Sequence, residues 1–310
     1  MMTKTMKRLS PVALAIGLGL GATALLGGCS EQPAQNTQTA SEPAAQVAAP
    51  ETEQAFVAPQ ISVQLWSVKD ALKDDFKGTL EKLAALGFDG VEFAGDFGPY
   101  AEDPAGLKAY LSSIGLTASG AHVQTPQLTD NMEDTVEFYQ ALGIDALIIP
   151  WDDRAFNGDD VKAFAAELTA LSEALAPYGM QVGFHNHAQE WASYGDTSYF
   201  DYIASHTPES VILQQDVGWT VHADKDPIAF VRRYPGRTLT THFKSDVPED
   251  SDLQPIIGKD DISWSAIYRA TVLDGGAEWI VIEQEVYPDG LSPMDAVAAS
   301  KAGFDAIIAE

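Results

Sequence analysis

The chain has 310 residues, 45% of them apolar, with 45 acidic against 18 basic side chains, a formal charge of −27 and one cysteine. That apolar content is enough to bury a sizeable core and excludes wholesale disorder, while the acidity argues against nucleic acid as a partner, because such binding draws its affinity from Lys and Arg at phosphates. A single cysteine excludes a disulfide framework and any CxxC metal site.

The N-terminus reads as an address. Lys4, Lys7 and Arg8 precede an apolar stretch over 12–26, which runs into Leu26-Gly27-Gly28-Cys29. At about 15 residues the stretch is shorter than the roughly 20 that a spanning helix needs, so 1–28 is expected to be a secretion signal. Its end resembles the lipobox of bacterial lipoproteins, in which the cysteine is lipidated and becomes the first residue of the mature chain. The resemblance implies an exported protein that meets the membrane only through a lipid on Cys29. The residue after the cysteine is Ser30 and not Asp, which implies the outer membrane, facing the periplasm. Loss of 1–28 removes three basic and no acidic residues and takes the charge to −30. Residues 29–59 are rich in Ala, Gln, Pro, Thr and Glu. They cannot bury enough surface to offset their ordering entropy and are expected to form a disordered tether.

From Ile61 onward, short β-branched or aromatic runs alternate with segments of helical period. Strands are expected at 61–66, 90–94, 117–123, 146–150, 181–187, 211–216, 238–244 and 279–285. Between them, Phe76, Leu80, Leu83 and Leu86 share one helical face over 76–87, with Gly87 as the stop. Helical period recurs over 130–142, 159–178, 227–234, 263–273 and 292–309. Eight such units over about 250 residues match a (β/α)8 TIM barrel at 60–310, an α/β fold. An open doubly wound sheet is the alternative, but no Gly-rich phosphate loop follows the first strand.

A barrel of this kind carries its function at the C-terminal ends of its strands. His122, His185, His187 and His242, four of the six histidines, fall there, together with Glu92, Asp216, Lys244, Glu283 and Glu285. Ionisable groups are expensive inside a barrel unless paired or bound to a metal. In Phe184-His185-Asn186-His187 the two histidines are two residues apart and leave the same face of a strand. Gln214-Gln215-Asp216, Thr241-His242-Phe243-Lys244 and Ile282-Glu283-Gln284-Glu285 end the next three strands. One N or O ligand from each of four consecutive strands would surround a point near the mouth, with a donor set that suits Mn, Co, Fe or Zn as the divalent cofactor.

These stretches carry a likeness to a known family. Val63-Gln64-Leu65-Trp66-Ser67-Val68-Lys69-Asp70, Gly90-Val91-Glu92-Phe93-Ala94-Gly95, Phe184-His185-Asn186-His187 with Glu190, Asp216-Val217-Gly218-Trp219, Tyr234-Pro235-Gly236-Arg237, His242-Phe243-Lys244 and Ile282-Glu283-Gln284-Glu285 together resemble the sugar phosphate isomerase/epimerase superfamily of xylose isomerase-like TIM barrels. The resemblance implies metal ligands at His185, Asp216, His242 and Glu283. His185 stands where many members have Glu, which makes the site less negative and leaves Glu190 as a substitute ligand. Trp219 stands three residues after Asp216, where several members have a histidine.

The chemistry implied is movement of a proton next to a carbonyl, or cleavage of a neighbouring C–O bond. The acid/base candidates are His187 and Glu190, then Glu92 on the opposite wall. Lys244 is a candidate to protonate or hold a substrate oxygen, or else to pair with Asp216 or Asp246. Trp66, Trp151 and Trp219 offer aromatic faces to a sugar ring, with His122, His222 and Glu285 as further substrate contacts. The first expected function is a metal-dependent isomerase or epimerase of an unphosphorylated carbohydrate. The alternatives are a lyase or dehydratase, for example β-elimination on a 3-keto-glycoside, and a catalytically inactive lipid-anchored sugar-binding module. Nothing in the sequence fixes the oligomeric state.

Overall fold

The computed structural model describes residues 57–248, 251–288 and 290–309. The expected signal peptide at 1–28, Cys29 and the tether as far as 56 lie outside the described residues.

Eight parallel strands form one sheet: β1 (Gln60–Gln64), β2 (Gly90–Phe93), β3 (Thr117–His122), β4 (Ala146–Ile149), β5 (Gln181–His185), β6 (Ile212–Gln214), β7 (Thr240–Phe243) and β8 (Trp279–Ile282). The spatial order is β6-β5-β4-β3-β2-β1-β8-β7, with registers such as Ser62 opposite Gly90 and Gln60 opposite Trp279. A parallel bridge between Asp216 and His242 joins the two ends and makes the sheet a barrel. The observed strands stop one to three residues short of the expected C-terminal ends, because the chain turns into the mouth loops and leaves its neighbours there.

Eight main helices cover the outside: α1 (Phe76–Ala85), α2 (Pro104–Ser113), α3 (Met132–Leu142), α4 (Asp160–Leu175), α5 (Tyr199–Ser205), α6 (Pro227–Arg233), α7 (Trp264–Leu273) and α8 (Pro293–Ile308). Local sequence explains their limits. Asp75 caps α1 by accepting from Gly78 N at 3.0 Å, and Gly87 behind it takes φ +83°, a left-handed conformation that glycine reaches without a Cβ penalty. Asp226 caps α6 in the same way, with Pro227 in the first helical turn. Along α4, Val161, Phe164, Leu168, Leu171 and Leu175 are buried at three- and four-residue spacing and pack on the sheet. The sequence reading named six of these helices and missed α2 and α5. Among the described residues no helix is long and apolar enough to cross a membrane.

The barrel interior is unusual. Such barrels are commonly filled by branched aliphatic side chains, but here Ser62 meets Ser119 across 2.6 Å. Above that pair, Gln64, Glu92, Gln214 and Thr240 are buried and hydrogen-bonded to one another. The apolar core lies instead between sheet and helices, where Phe164, Phe184, Phe200, Phe243 and Phe304 are fully buried.

Candidate metal centre

His185 is the last residue of β5, Asp216 follows β6 by two residues, His242 lies within β7 and Glu283 follows β8 by one. One donor atom from each of these four buried residues lies within 4.8 Å of the others. His122 forms an overlapping group with His185 and His242, so the structure adds it to the candidate ligands, beyond the substrate contact expected.

Asp216 is fixed from two sides. It caps the short helix Val217–His222, its Oδ1 accepting from Trp219 N at 2.8 Å, and its own N–H donates to Asn186 Oδ1 at 3.0 Å. Oδ2 is left facing the cluster, 3.9 Å from His185 Nε2 and 2.9 Å from Lys244 Nζ. Gly218 permits this turn, since a Cβ there would stand 2.6 Å from the Lys244 carbonyl oxygen.

His242 lies between two carboxylates, with Nε2 2.6 Å from Glu92 Oε2 and Nδ1 3.1 Å from Glu283 Oε2. Glu92 is in turn held by Gln64 Nε2 and Gln214 Nε2, each donating at 2.7 Å. Lys244 donates to Glu285 Oε2 at 2.6 Å and lies 3.6 Å from Glu283 Oε2, with its ammonium 4.2 Å from the centre of the Trp219 ring.

These neighbours set the charges. Burial works against a charged His242, yet Glu92 and Glu283 overcome it and raise the imidazole to about 10. Burial likewise opposes ionisation of Glu283, but Lys244 and His242 hold its carboxyl far below the usual range. Burial pushes Asp216 up to about 6 against the pull of Lys244. Burial, reinforced by His242 and His187, holds His185 well below its ordinary value. His187 is lowered to about 4, mainly by burial and then by Lys244, and is neutral at pH 7.

A cavity of about 360 Å³ opens above the cluster. Its walls include His122, His185, His187, Glu283 and Glu285, with Trp66, Trp151 and Trp219 as aromatic faces. None of its lining residues is Lys or Arg. The His187 ring meets Trp151 at 4.9 Å and Trp219 at 5.7 Å between centroids, and its Nδ1 has no hydrogen-bond partner.

Four expected site residues stand elsewhere. Glu92 is fully buried in the barrel axis and orients His242, so it is not an acid/base on the opposite wall. Glu190 turns back under its own loop, where Oε2 accepts from His187 N at 2.8 Å, and it belongs to neither donor group. Lys244 does not line the cavity; of its two expected salt-bridge partners it takes Asp216. Asp246 pairs instead with His222, which is exposed at the rim, 3.2 Å away. The sequence reading missed Gln64, Gln214 and Asn186, which clamp Glu92 and Asp216, and Gln124 and Gln127 in the cavity wall.

The donor set fits a divalent ion. Asp216 Oδ2 is a buried oxygen without a hydrogen-bond partner, 3.9 Å from His185 Nε2, beside a second buried carboxylate and a second imidazole held by a carboxylate on its far side, the arrangement that orients a ligating histidine. A bound ion would be held by His185, Asp216, His242 and Glu283, of which Asp216 and Glu283 also lie beside Lys244.

Comparison with known proteins agrees with this architecture. The model for the xylose isomerase-like TIM barrel matches residues 80–307. An inosose dehydratase of Bacillus velezensis is 24% identical over 264 residues, covering 73% of this chain and 87% of that protein. A sugar phosphate isomerase/epimerase from Parabacteroides distasonis superposes with a TM-score of 0.65 at 21% identity, over 82% of this chain and 96% of that one. The IolI protein with a bound zinc atom superposes at 0.59 and 15% identity, over 81% and 98%. With a family match over most of the barrel and eight parallel strands closed by the Asp216–His242 bridge, the chain belongs to the xylose isomerase-like TIM barrel family.

Proposed function

We propose that the protein is a divalent-metal-dependent enzyme that moves a proton next to the carbonyl of an unphosphorylated sugar or sugar derivative, as an isomerase or epimerase. The observation that carries this reading is that His187 lines one cavity together with His185 and Glu283, two members of the His185, Asp216, His242 and Glu283 cluster. A bound Mn, Co, Fe or Zn ion would supply positive charge to polarise a carbonyl and its neighbouring hydroxyl; the zinc in the IolI relative supports zinc among these.

The chain's own groups do the rest. His187, whose ring forms part of the wall, takes the proton from carbon, then returns it. Trp151 and Trp219 pack against the C–H side of the ring and exclude water. Glu285, anchored through Oε2 on Lys244, accepts from a substrate hydroxyl. A phosphate is disfavoured, since the lining has two glutamates and no Lys or Arg.

A second reading, dehydration or β-elimination, is supported by the inosose dehydratase relative. It would use the same base and require a proton for the departing oxygen. Leu26-Gly27-Gly28-Cys29 supports the further proposal of export and lipid anchoring at Cys29, probed by release of Cys29→Ala from the membrane fraction.

The test is product analysis by NMR after incubating metal-loaded protein with a panel of keto- and aldo-sugars. A new epimer or aldose/ketose pair supports the first reading, and an unsaturated product supports the second. Sugar bound without conversion would sink both.

A further inference from the structure

Beside the main cavity lies a second hollow of about 180 Å³ that shares Trp66 and Glu285 with it as lining residues. The two hollows meet at these residues, so a ligand seated in the main cavity can extend past Trp66 into the second.

The hollow is built to receive a polyol. Trp66 is 45% exposed although its base is fixed, its N–H donating to Gln64 Oε1 at 3.1 Å. One face of the indole carries the Lys69 ammonium, 3.5 Å from the ring centre. That leaves the other face for a ligand. Tyr287 donates its hydroxyl to Ser67 O at 2.9 Å, which ties the loop after β8 to the loop after β1 and holds a second aromatic ring in the hollow. Glu285 stands at the boundary with one oxygen fixed on Lys244, so its remaining lone pairs are aimed before any ligand arrives. Asp70 and Glu285 outnumber Lys69 among the charged groups of the hollow, which disfavours an anionic ligand. Aromatic faces with fixed carboxylate acceptors suit the C–H face and hydroxyls of a neutral pyranose.

We propose that Trp66, Glu285 and Tyr287 form a second sugar subsite, and that the substrate is a two-ring glycoside whose reacting ring occupies the main cavity while its neighbour lies against Trp66. This rests on the reading of the main cavity as a sugar site.

The experiment is calorimetric titration of the zinc-loaded protein with matched sugars: D-glucose against cellobiose and maltose, and D-galactose against lactose. At least one two-ring sugar is expected to bind about tenfold more tightly than its single-ring partner, and Trp66→Ala is expected to remove most of that advantage. Tyr287→Ala, a change on an exposed ring, is expected to reduce the same ratio. If every two-ring sugar binds no more tightly than its single-ring partner, or if the advantage survives both substitutions, the subsite is overturned while the main cavity reading stands. If no sugar of either size binds, both fall.

Discussion

Glu92 and His242 meet across the barrel axis, from β2 to β7, with Glu92 Oε2 2.6 Å from His242 Nε2. The contact fixes the imidazole so that its other nitrogen faces Glu283 at 3.1 Å. A carboxylate behind a ligating histidine sets ring orientation and raises basicity, and its loss typically costs ten- to a hundredfold in metal affinity. Glu92→Gln, which keeps the shape and loses the charge, is therefore expected to weaken zinc binding by roughly that factor in a chelator competition. Unchanged affinity would mean that His242 does not need this partner.

Lys244 shares Asp216 and Glu283 with the donor cluster. Lys244→Met removes a buried cation from among three carboxylates, and breaking such a cluster typically destabilises by about 3–5 kcal/mol. The metal-free variant should thus unfold at lower urea. Added zinc, which answers the same carboxylates, should restore more stability in the variant than in the wild type. Equal zinc shifts in the two proteins would contradict the competition.

His187 contributes no atom to either donor group, while its ring lies in the cavity wall. His187→Asn is expected to lower turnover by about 10²–10⁴ if the imidazole transfers the proton, with zinc content retained by metal analysis. Turnover within a few-fold of wild type would move the acid/base role to another residue.

Burial raises Glu190 from 4.5 to about 7, against two backbone N–H donors that favour its charged form. Because the folded pKa lies above the unfolded one, the protonated form favours the fold. That stability is fully present below about 4.5 and is lost as pH rises through 7. Glu190→Gln removes the titration, so urea unfolding should show the variant gaining up to about 3 kcal/mol on the wild type between pH 4.5 and pH 8. A pH-independent difference would show that the carboxyl stays accessible to water.

The parts of this site that could be read from sequence are those with strong periodic and chemical signals. His185, Asp216, His242 and Glu283 end consecutive runs of strand character, and barrel geometry then brings the ends together. Gln64, Gln214 and Asn186 carry no such signal; their roles depend on partners 28, 122 and 30 residues away. Glu92 showed its chemistry but not its depth, because alternation assigns a face and says nothing of whether that face opens on a cavity or on a filled axis. Glu190 was placed by residue type near His185, while the short helical turn at Gln189–Trp191 sends its carboxylate back to His187 N. Among the helices, α5 was missed because its seven residues give barely two turns of pattern, and α2 has Gly106, Ser112 and Ser113 weakening its helical signal.

The central claim, proton transfer next to a carbonyl at a divalent ion beside His187, is tested most directly by solvent deuterium exchange. Zinc-loaded and chelated protein would each be incubated in D₂O with keto- and aldo-sugars, and carbon-bound deuterium read by NMR. The account predicts deuterium at a carbon adjacent to the carbonyl with the loaded protein and its loss on chelation, recovered when zinc is returned. Sugars that bind to the loaded protein yet exchange no carbon-bound proton would contradict it.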